Sequence, residues 1–157
     1  MNAAVTPLGA IRPMTSADLA AVAAVERDSY RYPWSEGIFR DCLLAGYCSV
    51  VLDVEGQVVG YGIMSVAAAE AHILNLCVHP SYQRRGYGRS LLHELLTRAR
   101  AAAVKKVFLE VRPSNYPALA LYAAQGFKRI GIRPGYYQAE QGREDAVILA
   151  AALPKLV

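Results

Sequence analysis

The stretch QRRGYG, residues 83–88, places two adjacent arginines and two glycines directly before an amphipathic segment. Glycine lets a backbone approach a ligand closely and adopt positive φ. The start of a helix exposes N–H groups at the positive end of its dipole. Together with arginine charge, these features predict a binding site for an anionic group such as a phosphate. A plain glycine turn with solvated arginines explains these six residues equally well when they are considered alone.

A single carboxylate, Glu110, lies in the segment KKVFLEV, whose last five residues, VFLEV, are otherwise apolar. Strand alternation places Val107, Leu109 and Val111 on one face. Glu110 and Arg112 then share the opposite face. A carboxylate in this position could accept a proton from an attacking amine. An ion pair between Glu110 and Arg112 is the alternative, and the spacing alone favours it.

Tyr122 lies in NYPALALYAAQGF, a predicted helix with Ser114 or Asn115 as its N-cap and Pro117 in its first turn. Its hydroxyl could protonate a departing thiolate, because a thiol has a pKa of about 8.5 and needs only a weak acid. Ordinary core packing is the alternative for a lone helical tyrosine. Asn115 could cap the helix and contact a ligand at the same time.

The cysteines and histidines form no pattern of the disulfide or metal-binding kind. There is no C-x-x-C pair, and we expect no metal. Cys77 lies in ILNLCVHP without a catalytic partner at suggestive spacing, so we interpret it as a buried apolar residue and not as an acyl-accepting nucleophile. The residues concerned are Cys42, Cys48, Cys77, His72, His79 and His93.

Strands and helices alternate only partly along the chain, which predicts an α/β fold with a mixed sheet covered by helices on both faces. The predicted strands are AIRPMT, YCSVVLDV, QVVGYGIMSVA, AHILNLCV, KKVFLEV, GFKRIGIR and DAVILAAAL. The predicted helices are SADLAAVAAVERDSY, PWSEGIFRDCLL, GYGRSLLHELLTRARAA and NYPALALYAAQ. The third helix has the clearest apolar stripe, formed by Leu91, Leu92, Leu95, Leu96 and Ala99.

The length of 157 residues fits one domain, and no linker or repeat divides it. The longest apolar run is shorter than the roughly 18 residues of a membrane span. The segment MNAAVTPLGAIRP lacks the features of a signal peptide, so we expect a cytoplasmic protein. The net charge of +4 suits an anionic ligand or a ribosome-rich environment.

QRRGYG matches the Q/R-x-x-G-x-G/A signature of the GNAT acetyltransferases. The segments LEVRPSN, ALYAAQGF and GRED resemble one branch of them, the RimI branch of ribosomal-protein-alanine N-acetyltransferases. The resemblance extends from about Ile11 to Leu149. It implies a single GNAT domain over residues 1–157, with a mixed, mostly antiparallel central sheet of about six to seven strands. It also implies direct acetyl transfer from acetyl-CoA to a protein N-terminal α-amine, with the N-terminal alanine of the eighteenth small-subunit ribosomal protein as acceptor.

The same resemblance assigns roles to individual residues. Glu110 would be the general base, Tyr122 the general acid, and Asn115 would contact acetyl-CoA near its pantetheine or thiol end. The backbone that pairs with the pantetheine arm would come from Leu76, Cys77 and Val78. The pyrophosphate would be wrapped by Arg84, Arg85, Gly86, Tyr87, Gly88 and Arg89.

Two aromatic groups would flank the slot for the acceptor peptide, one between the first two helices and one between the last two strands. Their members are Tyr32 and Trp34, then Tyr136 and Tyr137. Carboxylates that could favour a cation at the second acceptor position are Glu36, Asp41 and Glu144. The chain departs from the family at residues 133–138, where it has RPGYYQ in place of RRNYYP.

Two further hypotheses stay open at the level of sequence. Within the same chemistry, the acceptor could be another protein N-terminus, a lysine or a small amine. In a different class, the chain could be a non-catalytic module that binds acyl-CoA or nucleic acid. The arginines cluster at one turn and form no stripe, so we expect neither direct nucleic-acid binding nor a membrane partner.

Overall fold

The computed structural model describes residues 9–154, so the first eight residues of the segment considered for a signal peptide lie outside it. Two short 3-10 helices lie at Ser16–Asp18, directly before the first α-helix, and at Pro80–Tyr82, directly after the fourth strand. In chain order the elements are β1 (Ala10–Pro13), α1 (Leu19–Ser29), α2 (Glu36–Leu44), β2 (Cys48–Val54), β3 (Gln57–Ala67), β4 (Glu70–Val78), α3 (Tyr87–Ala101), β5 (Lys106–Val111), α4 (Tyr116–Ala124), β6 (Lys128–Gln138) and β7 (Arg143–Ala152).

The seven strands of the described residues form one sheet in the order β1-β2-β3-β4-β5-β7-β6. β1 pairs with β2, and β7 pairs with both β5 and β6, in antiparallel fashion. β4 and β5 are parallel, with His72 opposite Phe108, and α3 lies between them along the chain. The prediction of a mixed, mostly antiparallel sheet with flanking helices is confirmed.

The chain forms two compact units. The first contains the described residues up to Ile63 together with Asn75–Leu95. The second contains Met64–Leu74 and the described residues from Leu96 onward. The single domain expected over the whole chain stays a prediction.

The core of the first unit is built where α3 packs on β3. Leu91, Leu92 and Leu95 are fully buried, as the stripe predicts. The backbone of β3 comes so close that a Cβ on Gly62 would lie 2.9 Å from Leu95 Cδ1. A Cβ on Gly60 would lie 2.8 Å from the carbonyl oxygen of Cys77. These glycines therefore allow the close approach between helix and strand that fixes the end of β4.

In the second unit, β5 alternates as its sequence predicts. Val107, Leu109 and Val111 are buried. Phe108 and Glu110 lie on the other face and are half-buried. Apolar burial on one face thus holds the strand, so the opposite face can carry a carboxylate at little cost to folding.

One prediction about the second unit is wrong, because residues 134–138 continue β6 and are not a loop. Tyr137 lies opposite Glu144 on β7, and Tyr136 also belongs to the strand. A register shift between Arg133 and Tyr137 absorbs Pro134 and Gly135. Proline cannot donate a ladder hydrogen bond, and Gly135 has φ 60, so both fit an irregularity of this kind.

Candidate active site

The predicted phosphate-binding turn lies between β4 and α3. The Gln83 side-chain amide donates to Val78 O at 3.0 Å, which ties the turn to the end of β4. Arg84 has φ 66 and Gly86 has φ 83. A non-glycine residue with positive φ is uncommon, and such residues cluster at functional sites. The backbone therefore has a special conformation at the position that the glycine motif indicates.

Backbone donors follow this turn at the start of α3. A hydrogen bond from Ser90 N–H to Gly86 O, 3.1 Å long, joins the turn to the first residues of α3. The preceding N–H groups, of Tyr87, Gly88 and Arg89, have no acceptor inside the helix, as at every helix start. Tyr87 is buried, so only its backbone can serve a ligand there. The exposed arginines of the turn are Arg84, Arg85 and Arg89.

The predicted pantetheine-pairing residues, Leu76, Cys77 and Val78, are the last three residues of β4. The Tyr30 hydroxyl donates to Leu76 O at 3.4 Å. Cys77 is buried, and burial is the main cause that raises the pKa of its thiol. A protonated buried thiol is a poor nucleophile, which favours the interpretation of Cys77 as a packing residue.

A buried carboxylate that the sequence analysis missed lies in the same unit. Glu26 of α1 is only 2% exposed. It accepts hydrogen bonds from Trp34 N–H at 2.9 Å, from the Asn75 amide at 3.0 Å and from the Tyr61 hydroxyl. Its spacing of four residues from buried Val22, on the apolar side of α1, is the signal that could have identified it.

The two residues of the first aromatic group, Tyr32 and Trp34, differ in how tightly they are packed. The backbone N–H of Trp34 donates to the Glu26 carboxylate, and the centroid of the Trp34 ring lies 5.3 Å from that of the Phe39 ring. Tyr32 is 37% exposed, with the guanidinium of Arg31 6.0 Å from its ring centroid. Trp34 is thus a fixed part of the segment between α1 and α2, whereas Tyr32 presents its side chain outward.

In the second unit, the Glu110 carboxylate is nearly buried and lies close to His72 and Arg133. Oε2 lies 2.8 Å from His72 Nε2, and Oε1 lies 3.5 Å from Arg133 Nη1. The Glu110 side chain is 8% exposed. The hydrogen bond with His72 is the main cause that lowers the Glu110 pKa, and it outweighs the opposing effect of burial. Glu110 is therefore a carboxylate at neutral pH and can accept a proton.

Arg112, the ion-pair partner considered for Glu110, lies against a different carboxylate. Arg112 instead lies 3.1 Å from Glu144 Oε1 on β7 and donates to Gln138 O at 2.8 Å. Its guanidinium also lies 4.4 Å from the Tyr137 ring centroid. Arg112 therefore contacts both β6 and β7, and the Glu110 carboxylate has His72, Arg133 and Tyr136 beside it.

The second aromatic group lies beside Glu110. The rings of Tyr136 and Tyr137 meet edge to face, with centroids 4.8 Å apart. Burial raises the pKa of Tyr137, and the neighbouring Tyr136, Glu110 and Tyr122 raise it further. The structure thus brings together four of the predicted site residues: Glu110, Tyr122, Tyr136 and Tyr137.

Tyr122 and Asn115 lie on α4 at opposite ends. Asn115 is the N-cap and accepts from Ala118 N–H at 3.3 Å, as predicted. Tyr122 is 6% exposed, and its ring packs edge to face on Phe127 at 5.5 Å. Packing thus fixes the position of the Tyr122 side chain near the aromatic pair.

Residues 9–154 contain no group of three or more His, Cys, Asp or Glu side chains placed to hold a metal ion. None of the helices in this part of the chain is long and apolar enough to cross a bilayer.

The sequence model of the Acetyltransferase (GNAT) family matches residues 19–127. The chain belongs to the GNAT acetyltransferase family. This GNAT acetyltransferase is 37% identical to [ribosomal protein bS18]-alanine N-acetyltransferase of Escherichia coli strain K12, covering 91% of this chain and 97% of the relative. It is 33% identical to the Haemophilus ducreyi protein of the same name, covering 91% and 99%.

The crystal structure of ribosomal-protein-S18-alanine N-acetyltransferase from Escherichia coli matches this GNAT acetyltransferase with a TM-score of 0.88. The two are 35% identical, and the match covers 96% of each chain. The predicted family, its RimI branch and its fold are confirmed.

Proposed function

We propose that the protein transfers the acetyl group of acetyl-CoA to the N-terminal α-amino group of a protein, in a ternary complex without an acyl-enzyme. The acceptor that we propose is the N-terminal alanine of the eighteenth small-subunit ribosomal protein, bS18. The observation that carries this proposal is the 37% identity over 91% of the chain to the Escherichia coli enzyme named for that reaction.

The first unit carries the proposed acetyl-CoA-binding residues other than Asn115. The β4 end supplies backbone groups of Leu76, Cys77 and Val78 for the pantetheine arm. The turn supplies helix-start N–H groups and arginine charge for the pyrophosphate, which is how proteins commonly bind phosphate. Gly86 supports this role, because its φ of 83 is a conformation that favours glycine.

The second unit carries the proposed proton-transfer residues. An amine must be neutral to attack a thioester, and an α-amine has a pKa of about 7.7–8.0, so modest assistance is enough. Glu110 takes the proton, directly or through a water. Tyr122 gives a proton to the departing thiolate of CoA, and Asn115 contacts acetyl-CoA from the start of α4. No step in this scheme calls for a metal.

The aromatic side chains would shape the acceptor slot. Tyr136 and Tyr137 provide a rigid edge-to-face pair beside Glu110, and Tyr32 and Trp34 belong to the other acceptor segment. Walls of this kind favour a small first residue such as alanine. Of the carboxylates considered for a second-position cation, Glu36 pairs with Arg40 and Glu144 with Arg112. Asp41 is the exposed member that is left for this role.

The acceptor also fits the expected setting of the protein. Ribosomal proteins are assembled in the cytoplasm, where the three cysteines of this chain would stay reduced. We place the reaction there, with acetyl-CoA and the ribosomal protein as partners and without direct contact to nucleic acid or membrane.

Steady-state kinetics with short peptides test the acceptor. A peptide beginning Ala-Arg should be acetylated, Ala-Glu should show a higher KM, and Trp-Arg should be a poor substrate. Equal kcat/KM for all three peptides would contradict the proposed acceptor. Acetylation of a small amine in preference to every peptide would instead favour the second hypothesis of the sequence analysis.

A further inference from the structure

Glu110 needs an outlet for the proton that it accepts. If it removes a proton from the acceptor amine, as the proposed function requires, it must lose that proton before the next turnover. Its side chain is only 8% exposed, so direct exchange with bulk water is restricted. The groups around the carboxylate therefore decide where the proton goes.

Two basic side chains contact the Glu110 carboxylate, and only one of them can accept a proton. Arg133 from β6 lies 3.5 Å from Oε1, but a guanidinium stays protonated and offers no acceptor. His72 from β4 lies 2.8 Å from Oε2, and a neutral imidazole can take and release a proton near neutral pH. Tyr136 and Tyr137 from β6 also face this region.

The position of His72 connects Glu110 to solvent. The His72 side chain is 36% exposed, against 8% for Glu110. Both side chains line an open cavity of about 350 Å³, together with Ser65, Glu70 and Phe108. The parallel register of β4 and β5, with His72 opposite Phe108, holds the imidazole one strand away from the carboxylate. Exposure to solvent thus increases from the Glu110 side chain to the His72 side chain, which borders the open cavity.

We propose that His72 is a positioning residue that relays to solvent the proton taken by Glu110. The acceptor nitrogen loses one proton to the Glu110 carboxylate. Exchange with cavity water first moves the single His72 ring proton from Nε2, where it donates to the resting carboxylate, to Nδ1. The protonated Glu110 carboxyl then passes its proton from Oε2 to Nε2, and His72 becomes an imidazolium. Nδ1 then releases one proton to water or buffer in the cavity. No electrons are exchanged with another group, and both side chains return to their starting states.

Two substitutions at His72 separate the relay from mere packing. In His72→Gln, an amide can still donate a hydrogen bond to Glu110 but cannot carry a proton. In His72→Ala, the side chain is removed and the space joins the cavity. We expect kcat to fall roughly tenfold or more in both variants. The KM for an Ala-Arg peptide and the Kd for acetyl-CoA should change less than about twofold, since neither variant alters the proposed binding residues.

Added imidazole distinguishes proton transfer from structure. It should restore part of kcat in His72→Ala, because a free base can enter the vacated space, and have little effect on His72→Gln. The matched control is His93→Gln, a histidine exposed on α3, which should keep the parent kcat. Parent-like kcat in both His72 variants would overturn the proposal, as would a loss in His72→Ala that imidazole leaves unchanged.

An NMR measurement tests the pair without any turnover. The Glu110 carboxyl carbon should titrate at higher pH in His72→Ala than in the parent, because the hydrogen bond with His72 is the main cause that lowers the Glu110 pKa. An unchanged titration would overturn the proposed contact. If the parent acetylates no peptide, the proposed function fails while this titration still decides whether the pair exists.

Discussion

Replacing Gly86 by valine should weaken acetyl-CoA binding far more than it destabilises the fold. Gly86 has φ 83, and a Cβ placed on it would meet no atom within 4 Å. Valine therefore meets no clash, and its cost is conformational, about 1–2 kcal/mol for an L-residue in the left-handed region. For a chain of this size, such a change lowers the melting temperature by roughly 2–8 °C.

The effect on binding should be larger because relief of that strain moves the backbone. A shift of valine toward negative φ turns the following N–H groups away from the bound pyrophosphate. One lost hydrogen bond to a charged group costs roughly 1.5–3 kcal/mol. That free energy corresponds to an increase in Kd of roughly 10- to 100-fold.

Gly56 offers a matched control in the turn between β2 and β3. It has the same φ of 83, and a Cβ placed on it also meets nothing within 4 Å. Gly56→Val should lose similar stability in urea unfolding and keep the parent affinity in isothermal titration calorimetry with acetyl-CoA. The assignment of the turn would be refuted if Gly86→Val bound acetyl-CoA as tightly as Gly56→Val.

Three other substitutions test the remaining assignments. Glu110→Gln should lower kcat/KM at neutral pH by roughly 10²–10⁴. The loss should shrink as pH rises past about 8, where the acceptor amine is already neutral; a pH–rate profile with a constant loss would contradict this role. Tyr122→Phe should lower kcat and leave the calorimetric Kd for acetyl-CoA unchanged, whereas parent-like turnover would remove Tyr122 from the mechanism. Asp18→Asn should lower the free energy of unfolding by roughly 1–2 kcal/mol, because Asp18 accepts two hydrogen bonds from Arg12, at 2.8 and 2.9 Å. The Arg12 side chain is 39% exposed, so solvent weakens these two hydrogen bonds. The Arg12 hydrogen bond is the main cause that lowers the Asp18 pKa, so this stability is present above the ordinary aspartate pKa of about 3.9 and is lost as pH falls through the lower folded value. The difference between parent and Asp18→Asn in urea unfolding should therefore close in acid, and a difference independent of pH would contradict the assignment.

The fold could be predicted well from sequence where a local pattern determines burial. The leucine stripe of α3, the alternation of β5 and the N-cap at Asn115 all depend on neighbours within a few residues. β6 could not be predicted to its end, because Pro134 and Gly135 have the composition of a turn. Only the pairing of Tyr137 with Glu144 shows that they occupy an irregularity within a strand.

The surroundings of the candidate site depend on contacts between distant residues. His72 and Glu110 are neighbours only because β4 and β5 pair in parallel at one register, which no local spacing determines. The same limit applies to Arg112, which the spacing paired with Glu110 and the structure pairs with Glu144. Residue types could be assigned from sequence, but their partners required the strand pairing.

The position of the transferred acetyl group tests the central claim most directly. The protein should be incubated with acetyl-CoA and an Ala-Arg peptide that also contains an internal lysine, and the modified nitrogen should be located by mass spectrometry. An α-amine with a pKa of about 8 is neutral far more often at pH 7 than a lysine with a pKa of about 10.4. We predict acetyl on the first nitrogen alone, and no turnover when that nitrogen is blocked. Efficient acetylation of the lysine in the blocked peptide would contradict an N-terminal acetyltransferase.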